Sequence, residues 1–142
     1  MTWSIGADHR GFAHKEAIKK FFADITWHDA GAYDTNRSDY PVFAHGVCHE
    51  ILSGRAHGGI LICGTGVGMA ITANRYPGIY AGLVWNEDVA RLAREHDNAN
   101  ILVIPSDFVS IDLAITLVRI WSQAQFLEGQ YRQRLELIDT GL

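Results

Sequence analysis

Short runs of apolar residues alternate along the chain with longer segments in which apolar residues recur every three or four positions. The short runs predict buried β-strands, and the longer segments predict amphipathic α-helices. GGILIC is the clearest strand, because a continuous apolar run is typical of a strand covered on both faces. The predicted strands are 3–7, 26–31 (the weakest), 58–63, 80–85 and 100–105; the predicted helices are 12–22, 41–53, 87–96, 110–126 and 131–138, and a helix of small residues follows the glycines at 64–68.

Two helix starts are indicated by particular residues. Pro41 occupies a first-turn position, where the missing N–H of proline is tolerated. Asn86 precedes EDVARLAREH and is a plausible N-cap, since its side-chain oxygen can accept a hydrogen bond from a free backbone N–H.

This alternation predicts an α/β fold in which a five-stranded parallel sheet is covered by helices on both faces. The length of 142 residues is that of a single domain, 1–142. Ligands of such sheets bind at the carboxyl ends of the strands. The informative residues are therefore those that follow the strands, above all Asp8 and His9 after the first and Cys63 to Thr65 after the third.

Composition and charge exclude several classes of function. The net charge is −4 and basic residues form no block, which argues against nucleic acid or an anionic membrane surface as a partner. No apolar run is long enough to span a membrane. The first residues do not combine a basic segment with a long apolar core, so we expect no secretory signal there. The two cysteines form no C-x-x-C pair, so we expect neither a disulfide framework nor a structural zinc site, and a cytoplasmic location fits.

The glycines at 64, 66 and 68 do not match the common phosphate-binding motifs. A P-loop requires a lysine followed by serine or threonine at its end, and this loop has neither. The dinucleotide fingerprint G-x-G-x-x-G/A fails as well, because its last position falls on Met69 or Ile71. A nucleotide-binding domain is therefore disfavoured.

Cys63 stands immediately before this loop and suggests acid–base chemistry. The glycines allow several backbone N–H groups to converge, and the following helix adds positive potential that is expected to lower the pKa of the thiol. A thiolate beside such donors can remove a proton next to a carbonyl while the donors hold the negative oxygen that develops. The alternative interpretation is a buried structural cysteine beside a tight turn.

Four motifs in order resemble the ribose-5-phosphate isomerase type B family, which includes the galactose-6-phosphate isomerase subunits. They are GADHRGFAHKEAIK, DYPVFA, GGILICGTGVGMAITANR and AREHDNANILVI, and the similarity covers nearly the entire chain. The resemblance implies a three-layer α/β/α sandwich, Rossmann-like, with a five-stranded parallel sheet. It also implies a metal-independent, cofactor-free aldose–ketose isomerase that acts on a sugar phosphate through a cis-enediolate.

The resemblance further implies a role for each matched residue. Cys63 is the base that moves a proton between C1 and C2, and Thr65 assists proton exchange at the sugar oxygens. His96 opens the sugar ring with the help of Asp8. The other residues assigned to substrate binding, with the loop backbone as an anion hole, are His9, Tyr40, Gly64, Gly66, Val67, Gly68, Asn74, Asp97, Arg132 and Arg134.

Members of this family are dimers or tetramers of dimers, and the partner chain supplies the histidine matched by His96. The resemblance therefore implies a homodimer or dimer of dimers with shared active sites. The implied ligand is a small sugar or sugar phosphate. Trp121 and Phe126 on the long helix fit either a core or a subunit interface.

Three positions depart from the family pattern. Asp107 and Gln130 stand where the family has phosphate-binding arginines, and Asp97 stands where it has an asparagine. An acid at position 107 is expected to repel phosphate. Arg134 aligns with the last arginine of the family pattern, and Arg132, two residues after Gln130, is a candidate substitute although a helix turns it about 200° away. Arg10 either lines the pocket or is solvated.

These departures leave alternatives open. The substrate is a sugar phosphate of a different length or stereochemistry, or an unphosphorylated or differently substituted sugar, or the chain is a sugar-binding protein that has lost turnover. His45 and His49 are spaced for metal binding, but H-E-x-x-H is absent and an exposed helix face is the favoured interpretation.

Overall fold

The computed structural model describes residues 1–141, which form five strands and six helices. The helices cover a sheet that contains every strand. The strands are β1 (Thr2–Ala7), β2 (Thr26–Asp29), β3 (Gly59–Cys63), β4 (Ala81–Leu83) and β5 (Ile101–Pro105). The helices are α1 (Phe12–Phe21), α2 (Tyr40–Leu52), α3 (Val67–Ala73), α4 (Glu87–Asp97), α5 (Ile111–Gln123) and α6 (Gln130–Thr140).

The sheet is parallel throughout, with the strand order β2-β1-β3-β5-β4. β3 lies at the centre between β1 and β5, and all five of its residues are buried. The continuous apolar character of GGILIC follows from this position, because both faces of a central parallel strand are covered. The predicted five-stranded parallel sheet is confirmed.

Side chains of β3 alternate between two hydrophobic clusters, one on each face of the sheet. Ile60 and Ile62 pack with residues of α1, α4 and α5, whereas Leu61 and Cys63 pack with residues of α2 and α3. The structure is therefore the expected three-layer α/β/α sandwich. Cys63 lies on the α2 and α3 side, at the carboxyl end of the central strand.

Both helix starts indicated by the sequence are confirmed. Pro41 lies in the first turn of α2, and the Asn86 side chain accepts a hydrogen bond from the backbone N–H of Val89 at 2.9 Å. The predicted strand 80–85 is longer than β4, which is an edge strand and pairs with β5 alone. The predicted helix 110–126 ends earlier, at Gln123, because Ala124 is extended.

Trp121 of α5 is a core residue. Its side chain is fully buried, and its indole N–H donates to the carbonyl oxygen of Ala99 at 2.9 Å. Phe126 is half-buried beneath the guanidinium of Arg132. Within residues 1–141, no helix combines the length and the apolar character needed to cross a bilayer.

Candidate active site

A cleft of about 840 Å³ opens at the carboxyl edge of the sheet, beside Cys63. Three separate segments form it: the loop after β1, the start of α2 with the residues before it, and the glycine loop with the start of α3. Because β1 and β3 are parallel neighbours, the residues after both strands meet at the same edge. The lining residues are Asp8, His9, Arg10, Ser38, Asp39, Tyr40, Pro41, Cys63, Gly64, Thr65, Val67, Gly68 and Ile71.

The glycine loop turns its backbone N–H groups toward the sulfur of Cys63. The backbone N–H groups of Met69, Gly66 and Thr65 lie near the thiol and favour its ionised form, which lowers its pKa. Gly66 makes this turn with φ of 75°, a left-handed conformation that glycine adopts without strain. A Cβ at this position would also lie 2.4 Å from Cδ1 of Leu83. The expected cradle of backbone donors is therefore present around Cys63.

Cys63 lines the cleft although only 4% of its surface is exposed. Burial raises the pKa of the thiol above its ordinary value, and the nearby Asp8 carboxylate raises it further. The N–H groups of Met69, Gly66 and Thr65 lower the pKa but do not offset burial. The lowered thiol pKa expected from the sequence is therefore wrong for the single chain, because loss of hydration outweighs the loop's donors.

Asp8 is buried at the end of β1, where its carboxylate organises the loop before α1. Oδ1 accepts hydrogen bonds from the backbone N–H groups of Arg10 at 3.0 Å and Gly11 at 3.2 Å. These two hydrogen bonds hold the Asp8 carboxylate close enough to Cys63 for its negative charge to raise the pKa of the thiol. The sequence assigned both residues to one site, and the fold brings them together.

His9 is held in the cleft by Ser38. The backbone N–H of His9 donates to the Ser38 hydroxyl at 3.1 Å, and the backbone N–H of Ser38 donates to Nδ1 of His9 at 3.2 Å. An imidazole that accepts at Nδ1 carries its proton on Nε2, which is then free to donate to a ligand. Ser38 was missed by sequence reasoning, because nothing local relates two residues that are 29 positions apart.

Tyr40 and Thr65 complete the walls of the cleft. The ring of Tyr40 lies so close to the backbone of Gly68 that a Cβ there would be 2.3 Å from the ring. Thr65 is exposed, and its hydroxyl accepts a hydrogen bond from the N–H of Val67 at 3.3 Å. Both side chains therefore present a hydroxyl in the cleft that holds Cys63.

Arg10 and Asp107 form an ion pair at the cleft, with Nη1 and Oδ2 2.6 Å apart. The sequence left the role of Arg10 open, and the structure places it among the lining residues. Asp107 is not an isolated negative charge, because this guanidinium neutralises it. The repulsion of phosphate expected from Asp107 alone is therefore weakened.

His96 and Asp97 lie at the opposite edge of the sheet. They end α4, and residues 98–100 lead directly into the amino end of β5. The His96 ring stacks on Tyr131 of α6, with ring centroids 4.3 Å apart. Within one chain, therefore, the structure does not bring His96 to Cys63.

Three other matched residues also lie outside the cleft of the single chain. Both groups of the Asn74 side-chain amide bind the backbone of Ala81, at 2.9 and 2.8 Å, and together with Asp97 it lines a separate cavity of about 730 Å³. Arg132 donates to Glu128 from Nη2 at 2.7 Å, and Arg134 lies over the ring of Tyr131.

His45 and His49 are on one face of α2, where both rings contact Tyr76. Nδ1 of His45 is hydrogen-bonded to the Tyr76 hydroxyl. Among residues 1–141 there is no group of three or more His, Cys, Asp or Glu side chains placed to hold a metal ion.

Comparison with known proteins relates most of the chain to one family. The family described as Ribose/Galactose Isomerase matches residues 4–138. Ribose-5-phosphate isomerase B of Escherichia coli (strain K12) is 38% identical over 137 residues, which cover 95% of this chain and 92% of that protein. The structure of ribose 5-phosphate isomerase from Thermotoga maritima superposes with a TM-score of 0.95 at 42% identity, covering 98% of this chain and 97% of that one. The Mycoplasma genitalium ribose-5-phosphate isomerase B, solved with bound ribulose-5-phosphate, superposes with a TM-score of 0.92 at 36% identity, covering 98% and 94%.

Proposed function

The chain belongs to the ribose/galactose isomerase family, and we propose that it interconverts an aldose phosphate and the corresponding ketose phosphate. The observation that carries this proposal is the Cys63 thiol, which lines a cleft together with Asp8 and Thr65 and lies beside backbone N–H groups that favour its thiolate. Membership of the family confirms the resemblance stated from the sequence. Ribose 5-phosphate is the first substrate to test, since it is the sugar in the names of the relatives.

The proposed reaction moves one proton between neighbouring carbons. The Cys63 thiolate removes the proton from C2 of the open-chain aldose, and the electrons of that C–H bond form the cis-enediolate while the C1 carbonyl oxygen becomes negative. The resulting thiol returns the proton to C1, and the proton of the O2 hydroxyl passes to the negative O1, which leaves the ketose carbonyl at C2 and a hydroxyl at C1. The Thr65 hydroxyl lies in the cleft to assist the exchange of protons between O1 and O2.

Backbone donors supply the electrostatic stabilisation in this scheme. Gly66 adopts a left-handed turn in the loop beside Cys63, and backbone N–H groups fixed in such a turn stabilise negative charge without reorganising during the reaction. A bound metal is not needed as electrophile when fixed N–H groups hold the developing oxyanion. Asp8 and His96 are proposed to open the ring of the cyclic sugar before the proton moves.

The proposed role of His96 in ring opening requires a second copy of the chain at each site. His96 is at the amino edge of the sheet, whereas the cleft is at the carboxyl edge. Apolar side chains close to the cleft are exposed on the α2 and α3 face: Val42 (66%), Val67 (48%) and Ile71 (55%). We infer that a second copy packs on this face, covers these residues and places its own His96 over Cys63.

The decisive experiment follows proton exchange in deuterated water. The protein is incubated with four- to six-carbon aldose phosphates and with the same sugars lacking phosphate, and deuterium at C2 and ketose formation are measured. Cys63→Ala is expected to reduce both by about 100- to 10,000-fold, the usual contribution of a general base. Cys48→Ala is the matched control, because Cys48 is buried in α2 outside the cleft.

Each outcome has a definite meaning. Exchange with a phosphorylated sugar that depends on Cys63 supports the proposal. A fully active Cys63→Ala protein contradicts the assignment of the base. Turnover of unphosphorylated sugars alone, or sugar binding without exchange, contradicts a sugar-phosphate isomerase.

A further inference from the structure

Arg10 is the one lysine or arginine among the described residues that line the Cys63 cleft. The carboxylates of Asp8 and Asp39 line the same cleft, and Asp107 borders it through its contact with Arg10. Among these residues Arg10 is the one whose side chain is always positively charged, so it is the strongest attraction that this part of the chain offers to a negatively charged ligand. The Arg10 side chain is 57% exposed, so its guanidinium is accessible from the cleft.

Backbone hydrogen bonds connect both residues of the Arg10–Asp107 pair to the segments that carry Asp8 and Cys63. The backbone N–H groups of Ser106 and Asp107 donate to the carbonyl oxygens of Cys63 and Gly64, each at 3.0 Å. The backbone N–H of Arg10 donates to Oδ1 of Asp8 at 3.0 Å. The loop after β5 thus holds Asp107 in place, and the loop after β1 holds Arg10.

The pair lies directly against the first glycine of the loop that surrounds the thiol. A Cβ at Gly64 would be 2.8 Å from Oδ2 of Asp107 and 2.9 Å from Nη1 of Arg10. The guanidinium is therefore next to the residue that follows Cys63, within reach of a ligand whose carbon chain extends from the sulfur.

Asp107 occupies only part of the hydrogen-bonding capacity of Arg10. A guanidinium has five N–H donors in a fixed plane, and one nitrogen, Nη1, contacts Asp107. The other donors remain to bind an anion while Asp107 keeps the plane oriented. A phosphate group carries up to two negative charges and accepts such donors in pairs, whereas an uncharged hydroxyl gains far less.

We propose that Arg10, held in orientation by Asp107, is the residue that selects a phosphorylated sugar over an uncharged one. This inference rests on the proposed function and names the substrate class of the same cleft. Asp107 is then a positioning residue that acts through Arg10, and its negative charge is already compensated when substrate arrives.

Binding measured without turnover tests the role of Arg10. Titration calorimetry with ribose 5-phosphate, inorganic phosphate and ribose is carried out at constant ionic strength on the wild type and on Arg10→Met and Arg10→Lys. Arg10→Met is expected to weaken binding of both phosphate probes by about 10- to 100-fold, with Arg10→Lys between it and the wild type. Arg119→Met is the matched control, because Arg119 is exposed on α5 and contacts Phe21 of α1, on the other face of the sheet.

A double-mutant cycle tests the positioning role of Asp107. Asp107→Ala is expected to raise the KM for ribose 5-phosphate while leaving kcat nearly unchanged. In the Arg10→Met background the same substitution is expected to weaken phosphate binding no further, because it acts through the guanidinium. Equal weakening in both backgrounds, or tighter phosphate binding by Asp107→Ala alone, contradicts the positioning role.

The remaining outcomes separate this inference from the proposed function. Wild-type affinity of Arg10→Met for both phosphate probes overturns the inference, as does a wild-type protein that binds neither probe. Arg10-dependent phosphate binding without any Cys63-dependent exchange supports the inference and contradicts the isomerase. Exchange with sugar phosphates that is indifferent to Arg10→Met supports the isomerase and contradicts the inference.

Discussion

Cys63 is subject to two opposing influences on its ionisation. Burial and the Asp8 carboxylate disfavour the thiolate, whereas three backbone N–H groups favour it. The first influence is the larger, so the thiol of the single chain is mostly protonated at neutral pH. A base with a raised pKa is a stronger proton acceptor once ionised, but a smaller fraction of the protein carries it.

The pH dependence of the rate follows from this balance. Because the thiolate is the active form and its pKa is raised, kcat/KM is expected to keep rising with pH beyond the ordinary thiol value of 9.0. The ultraviolet absorbance of the thiolate is measured in a Cys48→Ala background, so that a single thiol titrates. Asp8→Asn is expected to lower the apparent pKa by removing a negative charge. An apparent pKa below 9.0 in the wild type would mean that the assembled site ionises the sulfur more strongly than the single chain does.

The sequence was sufficient to identify some site residues and insufficient for others. Asp8 follows β1 and Cys63 ends β3, and both strands are clear from their apolar pattern, so the presence of the two residues at one sheet edge could be predicted. The contact between Arg10 and Asp107 joins residues 97 positions apart, and it depends on the loop conformations after β1 and β5. Likewise, backbone donors around the sulfur could be predicted from the glycines. The structure was needed to show that burial has a larger effect on the thiol pKa than these donors have.

At the level of elements, the glycine loop joins the central strand to α3 and shapes the site. Its conformation is specified by a left-handed residue at Gly66 and by the packing of that residue beneath Leu83 of β4. α4 was predictable because its apolar residues recur with the helical period, and β3 was predictable because its apolar run is continuous. The length of β4 was overestimated. Only Ala81–Leu83 of the predicted strand 80–85 pair with β5 at the edge of the sheet.

Gly66→Ala is expected to destabilise the protein more than Gly54→Ala. Both glycines have similar positive φ values, 75° and 79°, so both substitutions incur the left-handed strain of about 1–2 kcal/mol. A Cβ at Gly54 meets no atom within 4 Å, whereas one at Gly66 meets Leu83 at 2.4 Å, and overpacking of this kind adds about 1–3 kcal/mol. Urea unfolding of the two variants measures the difference, and equal losses of stability would contradict a tightly packed loop.

At the level of the whole molecule, the topology separates two residues that the proposed reaction requires together. A parallel sheet places every loop that follows a strand at one edge and every loop that follows a helix at the other. Cys63 belongs to the first group and His96 to the second. No local rearrangement of α4 removes this separation, because α4 must span the sheet to return the chain to β5. The assembly of two copies is therefore a consequence of the proposed roles rather than an addition to them.

Mixing two inactive variants tests this arrangement. Cys63→Ala and His96→Ala each disable both sites of a homodimer, but a mixed dimer contains one site with Cys63 from one chain and His96 from the other. Random pairing is expected to restore about a quarter of the wild-type activity, because half of the dimers are mixed and each has one intact site. Cys63→Ala mixed with Thr65→Ala is the matched control: both residues line the cleft of the same chain, so no mixed dimer has an intact site. Recovery in the first mixture and none in the second requires a shared site, whereas failure of the first mixture to recover, with mixed dimers verified by mass spectrometry, would place the ring-opening histidine elsewhere.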